Sequence, residues 1–420
     1  MKKLVPIWMV IMVCSGSYHG YAGSVDKPVG ASVEELLVLA RAMNPELAAT
    51  ALEKEAALAG AEAADALPDP KFQVSLEDID QNSQGLPGRV AMVKYSLSQE
   101  IPWWGKRDLK REIAQAESRE AAGRHEEQLA EVVLKVKTAY ADYHRVHLSM
   151  EQTEELILVV RTLVEFAHYR YAQGMGGPQE AISADVERGA LANELIRLEK
   201  ERQRIRSRLN TLLNRAPDAP LVEHPHLRAI PPTSQLKWEK LLEQGLAYNP
   251  GLRMGEARLA MADGERRLAE KNFYPDWEVG VGLLNRRGEE KNGFEAMVGM
   301  NLPLQWSSRQ ALERQAHLKK QAAQERLQGE RLRVTAGLHE ALLSLEESRQ
   351  TEAVTRNSLL PQSRLALKSA LFGYETGTSD ASTVLDAIQR VKKFQIELLS
   401  AQYEQQVRLA EIERFVGGEL

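Results

Sequence analysis

Hydrophobic and polar positions alternate with a period of two in four short stretches of the chain, a pattern typical of β-strands with one apolar face. Two stretches lie within residues 71–100 and two within 277–302, and polar, glycine-rich loops join each pair as a predicted hairpin. Strands of about 8 to 10 residues cross a bilayer when tilted. The apolar positions expected to face lipid are Phe72, Val74, Leu76, Val93, Tyr95, Leu97, Trp277, Val279, Val281, Leu283, Phe294, Ala296, Val298 and Met300.

The rest of the chain has helical periodicity. Residues 105–173 and 307–376 each predict one near-continuous helix, which at about 1.5 Å per residue extends on the order of 100 Å. About half that length is predicted for the helices at 32–67, 178–214, 236–272 and 381–416. Two shorter helices laid end to end match one long helix. The chain can therefore run towards the membrane as a shorter helix, cross the membrane as a strand hairpin, and return along the full length as one long helix. It can then turn and run back towards the membrane as another shorter helix.

An internal repeat organises these elements. Four landmarks recur in the same order about 201 to 207 residues later, and these are Asn44-Pro45 with Asn249-Pro250, Pro68-Asp69 with Pro275-Asp276, Ile101-Pro102 with Leu302-Pro303, and Tyr171 and Gly174 with Tyr374 and Gly377. We interpret residues 23–214 as the first repeat and 236–420 as the second. Residues 215–235, which contain five prolines, form the linker.

A half-buried soluble sheet shows the same alternation, but two hairpins flanked by very long helices leave no second layer to cover it. A four-stranded sheet in lipid must close with other copies, because unpaired backbone groups are not tolerated there. Two copies would give eight strands with a filled interior, whereas three would give twelve and leave a pore. We expect a mainly α-helical protein whose homotrimer closes a 12-stranded membrane β-barrel.

The N-terminal residues have the pattern of a secretory signal. Lys2 and Lys3 precede an apolar stretch at residues 4–13, and the small residue Ala22 ends a cleavage pattern, so residues 1–22 are the predicted signal and Gly23 the first mature residue. The alternative is lipidation of Cys14, which Val13 disfavours because a small residue is needed there. Cleavage after Ala22 removes the one cysteine of the chain.

Composition excludes several classes of protein. Acidic residues outnumber basic ones, 59 against 54, which argues against a nucleic-acid partner. After the signal no stretch of about 18 uncharged apolar residues predicts a transmembrane helix.

No residues point to catalysis, a cofactor or a metal. Asp78, Asp80 and Asn82 have the spacing that opens a calcium loop, but the later ligands are missing. Neither His144 with His147 nor His224 with His226 comes with further ligands. No nucleophile, base and orienting group occur together, so an enzyme is not expected.

The basic residues Lys106, Arg107, Lys110 and Arg111 crowd the start of a long helix, where the helix dipole disfavours positive charge. Three interpretations stay open, and they are a solvated face, a helix packing site, and an anchor to lipid headgroups beside Trp103 and Trp104.

The chain resembles the TolC family of outer-membrane efflux channels over essentially its whole mature length. The residues that carry the resemblance are Tyr171, Gly174, Tyr374, Glu375, Gly377 and Thr378, followed by Val384, Leu385, Asp386 and Ala387. A second group is similar to the heavy-metal cation exporters of that family (CzcC-like and CusC-like), and it comprises Gln99, Ile101, Pro102, Trp103, Gly105, Lys106 and Arg107.

The resemblance implies a trimeric exit duct whose 12-stranded β-barrel lies in the outer membrane on a periplasmic α-helical barrel, which gives the protein a large periplasmic extension. It implies contacts with a periplasmic adaptor and an inner-membrane pump, expected to be of the RND type, at tips that carry Tyr171, Gly174, Tyr374 and Gly377. It also implies a pore constriction on the closing helices. Asp386 takes one of two family acidic positions there, Thr383 the other, and Glu180 the acidic position of the first repeat.

We therefore expect a passive channel of an efflux system, with heavy-metal cations as a candidate cargo. The sequence does not name the cargo, since a duct that does not select its substrate needs no ligands for it. The alternative is a periplasmic adaptor or coiled-coil scaffold protein. An adaptor would have one helical hairpin flanked by small β-modules, whereas this chain has two helical hairpins and two strand hairpins.

Overall fold

A computed structural model describes residues 28–80, 89–223, 225–286 and 292–420. The predicted signal with its cleavage site at Ala22 and Gly23, and Cys14, Asn82 and His224, lie outside the described residues.

Long helices and one small sheet make up the described chain. The first repeat contains α1 (Val33–Met43), α2 (Pro45–Ala63), β1 (Lys71–Asp80), β2 (Arg89–Ile101), α3 (Lys106–Ala172) and α4 (Pro178–Leu212). The second contains α5 (Trp238–Tyr248), α6 (Pro250–Lys271), β3 (Trp277–Arg286), β4 (Gly293–Met300), α7 (Trp306–Val354), α8 (Leu360–Glu375) and α9 (Ala381–Val416). A short 3₁₀ turn, Thr233–Gln235, precedes α5. None of the described helices has an apolar stretch long enough to cross a membrane.

The prediction of continuous helices over 32–67 and 236–272 is wrong, because each breaks at an asparagine. Asn44 adopts an extended conformation and its side chain accepts the Leu47 N–H at 3.2 Å, which caps α2. Its amide nitrogen donates to the Leu212 carbonyl at the end of α4, at 2.9 Å. Asn249 repeats this corner, with its amide donating to the Phe415 carbonyl at 3.0 Å. The Asn-Pro landmark thus fastens the start of one helix to the end of another.

The four strands form one antiparallel sheet in the order β1-β2-β3-β4. Phe72 lies opposite Leu97, Leu97 opposite Val281, and Val281 opposite Ala296. Directly opposed residues of an antiparallel pair share a face. This register brings all fourteen apolar positions predicted from the sequence onto the same face of the sheet.

The core runs along the helices as a series of clusters. Near the helix tips, Leu163 of α3 packs with Tyr374 and Ile388. A second cluster, which includes Val136 and Leu209, binds α1 to α3 and α4. Further clusters join α5, α6, α7 and α9. Because each cluster joins only neighbouring helices, the molecule is long and narrow.

A π-helical turn, Thr355–Leu359, separates α7 from α8. Buried Val132, Val136 and Thr153 of α3 match buried Val334, Leu338 and Thr355, each 202 residues later. Beyond the turn the offset is 203 residues, so that Val160 matches Ser363. The turn therefore adds one residue to the long helix of the second repeat, in keeping with the wider hydrogen-bonded loop of a π-turn. The sequence gives no signal for it.

Candidate functional sites: the strand sheet and the helix tip

The apolar face of the sheet is uncovered by the rest of the described chain. Phe294, Val298 and Phe72 are 84%, 71% and 68% exposed. An apolar surface of this size on a soluble protein would bind a partner or a membrane. That these residues contact lipid stays a prediction.

The opposite face of the sheet is mainly polar. Lys94 and Glu295 form an ion pair at 2.7 Å across two strands, and the Ser98 hydroxyl donates to Glu278 at 2.7 Å. Gly280 and Gly282 place no side chain on this face. A sheet with one apolar and one polar face is suited to separate lipid from water.

Aromatic side chains surround the end of the sheet where the helices begin. Trp103 stacks on Tyr274 with ring centroids 5.2 Å apart, and contacts Trp104 edge to face at 4.8 Å. Trp104 and Trp306 are 70% and 57% exposed. Exposed tryptophans at this level are typical of the boundary between membrane and water.

The start of α3 is a packing site. Lys106 is buried, and its ammonium contacts Asp276 at 2.8 Å and the Tyr274 carbonyl at 3.2 Å. Asp276 also accepts the Trp103 N–H at 2.7 Å. Partial burial alone would raise the pKa of Asp276, but the hydrogen bonds from Lys106 and the Trp103 N–H outweigh it and lower the pKa. Of the three interpretations of the basic cluster, helix packing is therefore the correct one for Lys106, which joins the first repeat to the second.

The helix tips end in glycines with left-handed backbone. Gly174 and Gly377 have φ angles of 70° and 78°, which residues with a Cβ rarely adopt. Both long helices therefore end in a tight turn at the repeated motif of a tyrosine followed three residues later by a glycine, Tyr171 with Gly174 and Tyr374 with Gly377.

The two tyrosines of that motif differ. Tyr374 is 1% exposed and its hydroxyl donates to the Glu180 carboxylate at 3.0 Å, whereas Tyr171 is 51% exposed. Burial, followed by the bond to Glu180, raises the pKa of Tyr374 to about 12. The hydroxyl therefore stays protonated and ties α4 to α8 at neutral pH.

Sequence reasoning missed Arg170 at this tip. Its guanidinium lies 4.8 Å from the centre of the Tyr374 ring and donates to the Tyr374 carbonyl at 2.8 Å. It also donates to the Met175 carbonyl at 3.2 Å. The residue matching Arg170 in the second repeat is Gly373, so the repeat carried no signal for this contact.

The predicted constriction residues have different surroundings. Asp386 is exposed and has no hydrogen bond or ion pair with the part of the chain that the structure describes. Thr383 is also exposed, but its hydroxyl donates to Asp380, which caps α9. Glu180 is engaged by Tyr374. Of the two carboxylates among them, Asp386 is therefore the free one.

A buried ionic cluster lies about midway along α3, where α9 ends. Glu413 of α9 contacts Lys137 of α3 at 2.8 Å and Arg228 of the linker at 2.6 Å. Glu413 and Lys137 are each 5% exposed. Burial alone would raise the pKa of Glu413, but Arg228 and Lys137 outweigh it and lower the pKa. The cluster joins both repeats and the linker by charge.

Histidines and metal ligands form no site among the described residues. No group of three or more candidate metal ligands occurs there. Burial, followed by the charge of His147, lowers the pKa of His144.

Comparison with known proteins matches the chain to one family model. The family described as outer membrane efflux protein matches residues 36–215 and 241–418. Those two segments correspond to the two repeats.

Individual relatives agree with this match. The chain is 24% identical over 394 residues to the cobalt-zinc-cadmium resistance protein CzcC of Cupriavidus metallidurans, which covers 92% of this chain and 90% of the relative. Its fold is similar to the outer-membrane channel OprN, with a TM-score of 0.82, 20% identity, and 92% and 90% of the two chains covered. It is also similar to CusC, with a TM-score of 0.79, 16% identity, and 96% of each chain covered.

Proposed function

The chain belongs to the outer membrane efflux protein family, and we propose from this membership that three copies form the exit duct of a tripartite efflux system. As a member of a family of channels, the protein is an outer-membrane efflux channel with a periplasmic helical extension. In the proposed assembly three copies supply a 12-stranded barrel, an adaptor contacts the tips around Gly174 and Gly377, and an inner-membrane pump of the RND type supplies the energy.

The two-faced sheet is the observation that carries the proposal. Its apolar face has fourteen outward positions, and its polar face holds the ion pair of Lys94 with Glu295. A hydrophilic pore through lipid requires this division of faces. The periplasmic part follows from α3, whose 67 residues extend about 100 Å.

Heavy-metal cations are the proposed cargo. The support is the likeness to a relative named as a cobalt-zinc-cadmium resistance protein. A passive duct needs no metal ligands of its own, because the pump selects the cargo.

Growth of a deletion strain tests this cargo. The strain is grown on a panel of divalent and monovalent metals, drugs and bile salts. We expect greater sensitivity to one or more metals, restored by the gene in trans. Sensitivity to drugs and bile salts with unchanged metal tolerance would contradict a metal cargo, yet agree with an efflux duct.

Replacement of Asp386 tests the proposed constriction. Three copies bring three free carboxylates near the axis, and charges lining a narrow pore act on ions at close range. We expect Asp386→Ala to lower cation selectivity in planar bilayers and to weaken block by multivalent cations.

A control for that change is Glu375→Ala, which removes an equal, exposed charge at the end of α8. We expect this variant to keep the selectivity of the wild type. Equal selectivity and block in wild-type and Asp386→Ala trimers would show that the constriction lies elsewhere.

A further inference from the structure

The exposed side of α9 carries a row of charges close to the helix tip. Asp386, Arg390 and Lys393 are all exposed and follow one another at spacings of four and three residues. Side chains at these spacings lie on one face of a helix, one above the other. At about 1.5 Å per residue, Arg390 lies about 6 Å and Lys393 about 10 Å further from the tip than Asp386.

No other part of the described chain covers this row. The opposite side of α9 packs into the core at the tip through Ile388 and Val391. The proposed constriction places Asp386 at the pore. Because Arg390 and Lys393 share the face of Asp386, a solute that passes Asp386 also passes these two cations.

Both basic side chains lack an acidic partner in the part of the chain that the structure describes. Neither Arg390 nor Lys393 has a carboxylate there within ion-pair distance. By contrast, Arg408 on the same helix has two carboxylate partners. On the neighbouring helix α4, Glu187 accepts a hydrogen bond from Gln389 at 2.6 Å. The row therefore presents two cations that no carboxylate neutralises at contact distance.

The first repeat does not supply a second such row. The buried faces of α4 and α9 are related by an offset of 203 residues. At this offset Arg390 and Lys393 correspond to Glu187 and Ala190. Three copies of the chain therefore carry three basic rows around the axis, not six.

We propose that Arg390 and Lys393 form a binding site for multivalent oxyanions one to two helical turns beyond the Asp386 constriction. Each copy contributes two cations and one carboxylate to the row, so three copies bring six cations and three carboxylates towards the axis. Guanidinium and ammonium groups donate several hydrogen bonds to phosphate-type oxygens. Charges that line a narrow pore also concentrate ions of the opposite sign.

The inference rests on the proposed trimer and its constriction, and it adds a site for anions next to a ring expected to attract cations. A site for cations followed by a site for anions suits a cargo that carries both signs. A metal cation accompanied by an oxyanion is a cargo of this kind.

Block of single channels tests the site. Full-length trimers in planar bilayers are titrated with inorganic triphosphate from the side of the helix tips. We expect the double variant Arg390→Gln, Lys393→Gln to need about tenfold more triphosphate for half-block than the wild type, because six cations are lost from the pore. Arg390→Lys keeps the charge and should retain most of the block. All these side chains are exposed, so the variants should form trimers as the wild type does.

A matched control removes two cations from the other helix of the same hairpin. Arg364 and Lys368 are exposed on α8, at a similar distance from the tip. The double variant Arg364→Gln, Lys368→Gln should need as much triphosphate for half-block as the wild type. An increase as large as that of the α9 variant would show that surface charge in general causes the block, and would overturn the site.

Equal half-block by triphosphate in the wild type and the α9 double variant would also overturn the site. The cation arm of the experiment keeps this outcome separate from the proposed constriction. If Asp386→Ala still weakens block by hexaamminecobalt(III), a trivalent cation, the constriction stands and the anion site alone is wrong. If neither change alters its block, the constriction itself is contradicted.

Discussion

A Val298→Arg protein is expected to lose assembly in the outer membrane. Val298 is 71% exposed on the apolar face, directly opposite Val279. An arginine near the middle of the bilayer costs about 2 to 4 kcal/mol per copy, and a trimer carries three copies. Trimers resistant to detergent, measured in outer-membrane fractions, should fall to background.

Two controls separate the lipid face from general damage. Val298→Leu keeps the apolar character and should assemble normally. Met297→Arg places the same charge one residue away on the opposite face, where the proposed pore holds water, so trimers should persist. Equal assembly of the two arginine variants would show that the faces are assigned wrongly.

Glu413→Gln is expected to destabilise the helical body strongly. The change leaves Lys137, which is 5% exposed, and Arg228 without their counterion. Removal of one partner from a buried ion pair costs about 3 to 5 kcal/mol. Thermal or urea unfolding measured by circular dichroism should show the loss. Glu411→Gln removes a partner of Arg408 on the same helix that is 28% exposed, and it should cost under about 1 kcal/mol.

The same cluster predicts a dependence on pH. The pKa of Glu413 is lower in the folded protein than its ordinary value of 4.5. Its contribution is therefore present above that ordinary value and is lost as the pH falls through the folded pKa. The difference in stability between wild type and Glu413→Gln should shrink as the pH is lowered from about 6 to about 3. A difference that stays constant over this range would show that the carboxylate charge is not the cause.

The faces of the strands could be read from the sequence because their period is two. A period of two puts residues such as Val279 and Val281 on one side whatever the rest of the fold does. The ends of α9 could also be predicted from the sequence, since Asp380 caps the start of the helix and Gly417 ends it with a left-handed backbone. Local chemistry was sufficient in both cases.

Features that depend on contacts between residues far apart in the chain could not be predicted from the sequence. Glu413 finds Lys137 across 276 positions of the chain, and neither residue stands out among the many charges on these helices. The breaks at Asn44 and Asn249 were visible as Asn-Pro landmarks, but the hydrophobic period continues through them. Tyr171 is exposed and Tyr374 is buried, and this difference could not be predicted from the repeat. Arg170 packs on Tyr374, whereas the counterpart of Arg170 in the second repeat is Gly373.

The π-helical turn at Thr355–Leu359 has a consequence for the symmetry of the duct. The turn takes up one added residue, so the buried face of α8 keeps the phase of the matching part of α3, and the two repeats of a copy stay equivalent beyond it. In the proposed trimer the six repeats therefore approach sixfold order along the helices, and the order falls to threefold at the tips, where Tyr171 is exposed and Tyr374 is buried. A partner that binds the tips meets two kinds of groove in alternation. The number of partner molecules bound per trimer would therefore show whether the partner binds one kind of groove or both.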